Sequence, residues 1–263
     1  ASRNSIAIAE AQERLGAGIG TGSSADRAYV SMFTPSPNLA GSIELMADIA
    51  RKPAFPAAEI ERVRGQMLAG IKQIKSNPSG LAQMAMPALL YGKDSPYAKM
   101  AAVGGDEDAV RKLTRDDLVG YYKAWIRPEK AKIFVVSDRP LAEVKAAFES
   151  RFGDWKGEGA PGTKVFAAKA TQTAPKILLI DRPDSPQSLI VAAQMTPVDP
   201  FADSIALGTA SEVLGGDFLS RINMHLREDK SWSYGVRGAV ARMEHAVPFT
   251  ISAPVQADKT GPS

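Results

Sequence analysis

The chain has 263 residues, 44% of them hydrophobic, with 32 basic against 29 acidic residues and a formal net charge of +3. That is enough apolar chain to bury the core of one large domain or two ordinary ones, and so even a charge balance, with no extended basic run, argues against nucleic-acid binding. The absence of cysteine excludes disulfides, thiolate metal sites and a cysteine nucleophile, and no window approaches about 18 uninterrupted apolar residues, so no membrane span is expected.

The first residues, "ASRNSIAIAEAQERLG", open directly into an amphipathic helix over residues 3–15. Ile8, Ala11, Gln12 and Leu15 share one face and Gly16 closes it. No charged segment followed by an apolar one is present, so no signal peptide is read here. "GAGIGTGSSADRAYVSMF" predicts a hairpin, its second strand alternating at Ala28, Val30 and Met32. Ser36-Pro37 starts a helix carrying Leu39, Ile43, Met46 and Ala50. After "RKPAFP" a longer helix sets Ile60, Val63, Met67, Ile71 and Ile74 three or four apart, stopping before "SNPSG". Another apolar helix is expected over 80–91, and Thr114 with Asp117 three residues on resembles a capping box at the start of a further one.

"AKIFVVS" reads as a buried strand, and "RPLAEVKAAFESRF" as a helix packing Leu141, Val144 and Phe148. Residues 153–175, rich in Gly, Ala, Thr and Lys without a sustained period, read as an interdomain linker. The division expected is therefore a first domain over 1–152, the linker over 153–175, and a second domain over 176–263. Beyond the linker, "KILLID" and "QSLIVAAQM" are predicted strands, 200–214 and 217–228 predicted helices, and "SWSYGVRGAVAR" with "VPFTISAPV" a predicted hairpin. The order helix, strand, strand on each side of the linker fits a distant duplication. Both ends read as cut, so the chain is expected to be a fragment of a longer protein.

Few residue groups carry chemistry. Gly16, Gly18, Gly20 and Gly22 resemble a nucleotide-binding cluster, but the dinucleotide fingerprint needs glycine where Thr21 stands and should follow a strand rather than a helix. No Gly-Lys-Ser/Thr phosphate loop occurs, and the cluster is read as small residues in a close-packed strand. His225 and His245 are the only histidines; they cannot make a multi-histidine zinc site, and both are read as solvated. Without a G-x-S-x-G elbow, serine catalysis is not supported. Arg227 and Tyr234 remain. If a helix ends near Lys230 and a strand starts near Trp232, both point to one side of the junction. A guanidinium fork with a neutral phenol donor suits a peptide carbonyl or a developing oxyanion; the alternative is an ordinary arginine at a charged helix end and an ordinary strand tyrosine.

"VLGGDFLSRINMHLREDKSWSYGV" resembles the C-terminal signature of the insulinase-like zinc metallopeptidases, the pitrilysin and mitochondrial-processing-peptidase family. The matching elements are Leu214–Gly216, Ser220–Ile222, Leu226–Glu228 and Tyr234–Val236. "ERLGAGIGTGSSADRAYVSMF", "LMADIARKPAFPAAEIERVRGQ" and "LLYGKDSPYA" resemble the family's earlier segments in the same order.

The resemblance implies an α+β fold: two similar α/β-roll domains, mainly antiparallel sheets with helices on one side, forming half of a clam-shell chamber and both truncated here. One half of such a chamber carries zinc on H-x-x-E-H with a downstream glutamate; the other contributes substrate binding. In the two-subunit bacterial enzymes an arginine and a tyrosine at positions corresponding to Arg227 and Tyr234 reach the active site of the catalytic half. The downstream glutamate falls, by the same resemblance, at Gly70, with Val63 where a preceding motif glutamate belongs, and no Asp or Glu occurs from Arg62 through Lys93.

The chain is therefore expected to be the non-catalytic, substrate-binding half of a zinc metalloendopeptidase, without catalytic residues or bound metal of its own. Zinc is expected in an H-x-x-E-H partner half, fused or separate, with a peptide as substrate. A structural or assembly subunit of the same fold is the alternative. By analogy with bacterial relatives the location is periplasmic, with the cytoplasm open.

Overall fold

A computed structural model describes residues 3–100, 104–165, 175–201 and 204–263. Within these, helices outweigh strands, and the strands form two small antiparallel sheets. The α+β class is as expected from the sequence.

The chain begins with helix α1 (Ser5–Leu15), capped by the Asn4 side chain, which accepts from the Ala7 amide, and closed by Gly16 in the left-handed region at φ 57°. Strands β1 (Gly18–Ser23) and β2 (Ala28–Phe33) pair as the expected hairpin, Gly18 opposite Phe33 and Ser23 opposite Ala28. Helix α2 (Leu39–Arg51) buries Ile43, Leu45 and Ala47. Helix α3 (Ala57–Lys75) buries Ile71, but Val63 and Met67 on its predicted apolar face are exposed. Helices α4 (Pro78–Tyr91), α5 (Pro96–Met100) and α6 (Glu107–Lys112) follow, then α7 (Arg115–Trp125). The Thr114 hydroxyl accepts from the Asp117 amide while the Asp117 carboxylate accepts from Thr114, so the capping box at α7 is complete. That pairing, through the Thr114 hydroxyl first and its amide second, holds the Asp117 carboxyl below its ordinary value. Helix α8 (Leu141–Phe152) covers Val144, whereas Leu141, expected to pack, is exposed because it sits at the helix start.

The second sheet has the order β3 (Gln187–Met195), β5 (Pro248–Gln256), β4 (Arg237–Val240), all antiparallel. Between β3 and β4 come α9 (Ser204–Ser211), a π-helical turn over Glu212–Gly216, and α10 (Arg221–Asn223), which continues as a second π-helical stretch over Met224–Asp229. The expected hairpin of β4 with β5 forms. The helix expected over 217–228 starts only at Arg221, because 217–220 is a turn.

Two predicted strands do not form. "AKIFVVS" and "KILLID" lie outside both ladders, with Phe134, Val136 and Ile177 almost fully exposed. A run of β-branched and aromatic residues records a preference for a pleated surface; a strand also needs a partner backbone, and the described residues supply none to either run. Of the predicted linker, residues 153–165 contain neither helix nor strand, and 166–174 lie outside the described residues.

By compactness the chain falls into two units that do not follow chain order, Ala1–Gln66 with Arg111–Lys164, and Met67–Val110 with Val165–Ser263. The core of the first includes Ala11, Ile43, Leu45 and Val144. In it the buried Arg127 donates to the carbonyls of Lys123, Glu158 and Gly159, tying residues 158–159 to the end of α7. The core of the second includes a cluster of Leu226, Val236, Ala253 and Val255, with Ile190, Ile222, Trp232 and Ile251 packed around it.

A close backbone approach fixes this second core. Gly215, in the first π-helical turn, meets Gly238 of β4 so closely that a Cβ on Gly215 would sit 2.7 Å from the Gly238 Cα and amide nitrogen. The contact requires glycine, because the obstructing atoms are backbone and cannot rotate away. Gly215→Ala is expected to destabilise the protein by about 1–3 kcal/mol, read as a lower urea midpoint.

Candidate functional site

The segment from Asp217 to Val236 is a turn, a helix and a returning extended chain, and each part is fixed by its own hydrogen bonds. The Asp217 carboxylate accepts from the Leu219 amide at 2.9 Å, and Ser220, with extended backbone, opens the helix. The helix then widens. The Lys230 amide donates to the His225 carbonyl at 3.1 Å, the five-residue spacing of a π turn. At Ser231 the chain enters the left-handed region, at φ 54°, and doubles back. The Trp232 amide donates to the Leu226 carbonyl at 3.0 Å and the Gln256 amide to the Trp232 carbonyl at 3.0 Å. Ser233 bridges to Val255 of β5. Residues 232–236 thus run beside the sheet edge, directly after the helix end.

This geometry brings Arg227 and Tyr234 together. The Arg227 guanidinium lies 5.0 Å from the centroid of the Tyr234 ring and 4.6 Å from that of Phe218. Both distances are within cation–π range. Tyr234 is 84% exposed, and the Arg227 side chain is 30% exposed, so the arginine is partly sheltered while the phenol stands in solvent. Its polar partner among the described residues is the neighbouring Glu228, with Nε 3.1 Å from the carboxylate. A guanidinium has five N–H donors, so this one pairing leaves donors uncommitted.

Two residues that sequence reasoning missed build this arrangement. Phe218 belongs to the apolar rhythm Phe218, Ile222, Leu226, which predicts a helix face anchored to the sheet. Ile222 and Leu226 do so, but Phe218 precedes the helix, is 46% exposed and packs on Arg227 instead. The sequence held the signal: Ser220 is a favoured helix-capping residue, and a cap there puts Phe218 outside. Asn223, only 3% exposed, donates from Nδ2 to the Phe218 carbonyl at 2.6 Å and accepts at Oδ1 from the Val236 amide at 2.9 Å. No spacing rule marks such a residue.

The other predicted chemistry separates. His225 is exposed and pairs with Asp229 at 3.4 Å, one helical turn on, and the exposed His245 lies in the β4–β5 connection. Gly18, Gly20 and Gly22 lie in β1, where the Tyr29 side chain crosses Gly22. On α3, Val63 is an exposed hydrocarbon and Gly70 has no side chain. Neither can donate to zinc, which needs imidazole, thiolate or carboxylate ligands. Among the described residues no three His, Asp or Glu side chains converge on a cation site, so the groups present do not fit the metal. An apolar cavity of about 350 Å³, lined by Met86, Pro87, Leu90, Tyr91, Leu189 and Met243 among others, lies between α4 and the β3–β5–β4 sheet and includes neither Arg227 nor Tyr234.

The family profile described as the peptidase M16 inactive domain matches residues 112–262, more than half of the chain. The chain belongs to the peptidase M16 family. Among solved structures it is similar to the peptidase M16 inactive domain from Pseudomonas fluorescens, with 27% identity and a TM-score of 0.85 over 97% of this chain and 61% of that one. A protease from Helicobacter pylori gives 17% identity and a TM-score of 0.83 over 95% of this chain and 60% of that one. The first half of the periplasmic protease PqqL from Escherichia coli gives 13% and 0.64, over 96% and 55%. The last two show the fold alone. No curated protein sequence matches the chain. This M16 chain therefore spans about three fifths of the first two relatives, and its fold is that of the M16 inactive domain.

Asn223→Ala removes a buried donor and acceptor together and leaves the Val236 amide and Phe218 carbonyl without their partner. The expected loss is about 2–3 kcal/mol of stability, measured by urea unfolding.

Proposed function

We propose that this chain is the substrate-holding half of a zinc metalloendopeptidase, acting with a separate or fused catalytic half. The observation that carries the reading is the juxtaposition of Arg227 and Tyr234. They are seven residues apart, at the positions the family resemblance implies for substrate contact, and 5.0 Å apart on an accessible edge. The match to an M16 inactive domain and the absence of donors at Val63 and Gly70 support the division of labour. Metal and water activation belong to the partner half in this reading, and no step of that chemistry is assigned to this chain.

What the chain's own groups do is bind and orient. The guanidinium offers paired donors to a peptide carbonyl, and the phenol adds a neutral one. Donors already in place when charge develops on the scissile carbonyl oxygen stabilise it without reorganising at that moment. A fixed cation on the non-metal side also limits how the peptide can slide, which keeps the reacting bond at the partner's metal.

We further propose that residues 153–175 link the two α/β-roll domains, in support of which 153–165 holds no helix or strand. A periplasmic location is in keeping with the similarity to the Escherichia coli periplasmic protease; among the described residues no helix is long and apolar enough to cross a membrane.

The test is made in the complete enzyme, with a peptide substrate. Arg227→Ala is expected to lower kcat/KM by about tenfold or more, and Tyr234→Phe by about threefold to tenfold, in line with loss of one charged and one neutral hydrogen bond. Unchanged cleavage in both variants would reject the substrate-holding role and favour a structural or assembly subunit.

A further inference from the structure

Resting on that reading of Arg227, we infer that Phe218 is a positioning residue for the substrate-holding arginine. Arg227 stands on a π-helical turn with a long, flexible side chain and, among the described residues, a single polar partner, the adjacent Glu228. That pair is partly exposed, and a solvated ion pair holds a side chain weakly. The Phe218 ring is the nearer of the two aromatic groups on the guanidinium, at 4.6 Å against 5.0 Å for Tyr234.

The ring is held by more than its own packing. Phe218 sits in the turn before the helix, and Asn223 fastens that turn by donating to the Phe218 carbonyl at 2.6 Å. The same side chain accepts from the Val236 amide at 2.9 Å, two residues after Tyr234. One buried amide thus sets both aromatic walls relative to the helix that carries Arg227. An aromatic ring has no lone pair to accept a full hydrogen bond, so contact with one leaves more of a guanidinium's five donors open than a carboxylate partner does. Phe218 therefore restricts the arginine without consuming its donors, as a second carboxylate would. A half-exposed phenylalanine that anchors no core is accounted for by this role.

The experiment uses the complete enzyme and a peptide substrate. Phe218→Leu keeps apolar bulk and removes the π face; Phe218→Tyr restores the ring. Phe218→Leu is expected to lower kcat/KM by about two- to fivefold, the range of a partly exposed cation–π contact, with the thermal midpoint unchanged. Phe218→Tyr should retain wild-type kinetics. In the Arg227→Ala background, Phe218→Leu should have no further effect, because the residue acts through the arginine. If Phe218→Leu is as active as wild type, or lowers activity equally with Arg227 absent, the positioning role is wrong while the role of Arg227 stands. If Arg227→Ala itself leaves cleavage intact, the substrate-holding reading falls and the positioning role falls with it.

Discussion

Asn223 is the constraint on which the candidate site depends. Its side chain is buried and satisfies one carbonyl of the preceding turn and one amide of the following strand segment, Phe218 and Val236. Burying a polar group without a partner costs free energy, and here satisfying the buried Asn223 side chain specifies geometry. The turn, the helix and the returning chain cannot shift independently without stranding a polar atom. Val236 is itself a member of the apolar cluster formed with Leu226, Ala253 and Val255, so the surface arrangement is referenced to a buried cluster of the second unit. The approach of Gly215 to Gly238 adds a second fixed point, between the first π-helical turn and β4.

On that frame the proposed division between binding and catalysis rests on which side chains each helix carries. The helix ending at Asp229 delivers a cation and, through the chain after it, a phenol to one exposed edge. Helix α3 carries Val63 and Gly70 at the positions where the family resemblance implies carboxylates. In the reading proposed above, the M16 fold carries at one place an arginine and a tyrosine side by side, and at the other a valine and a glycine, which offer no donor to a metal. Function in such a case is decided by side chains on a common scaffold rather than by the scaffold. Membership of the M16 inactive domain is in keeping with this arrangement.

Most helices were legible because their signals are local. Gly16 closes α1 and Thr114 with Asp117 opens α7, while of the apolar spacing read for α2 Ile43 is buried and Leu39, Met46 and Ala50 are half-buried. The β1–β2 hairpin followed from alternation and a polar turn. The runs containing Ile133–Val136 and Ile177–Ile180 misled because apolar, β-branched sequence reports a preference and not a partner. The pair Arg227 and Tyr234 was visible as a spacing, and the structure brings the two side chains together. Phe218 was assigned to the wrong environment, since a three-to-four spacing continues on paper past Ser220, where the backbone is extended and the helix has not begun. Asn223 could not be found at all: its role depends on two backbone groups, five residues before it and thirteen after, that only the folded chain makes neighbours.

The central claim is that this chain holds substrate and leaves the metal to its partner. Zinc content measured on the purified chain, after loading with excess zinc and extensive dialysis, tests it most directly. Well under one zinc per chain is expected, and a tightly retained equimolar zinc would overturn the proposed division of labour.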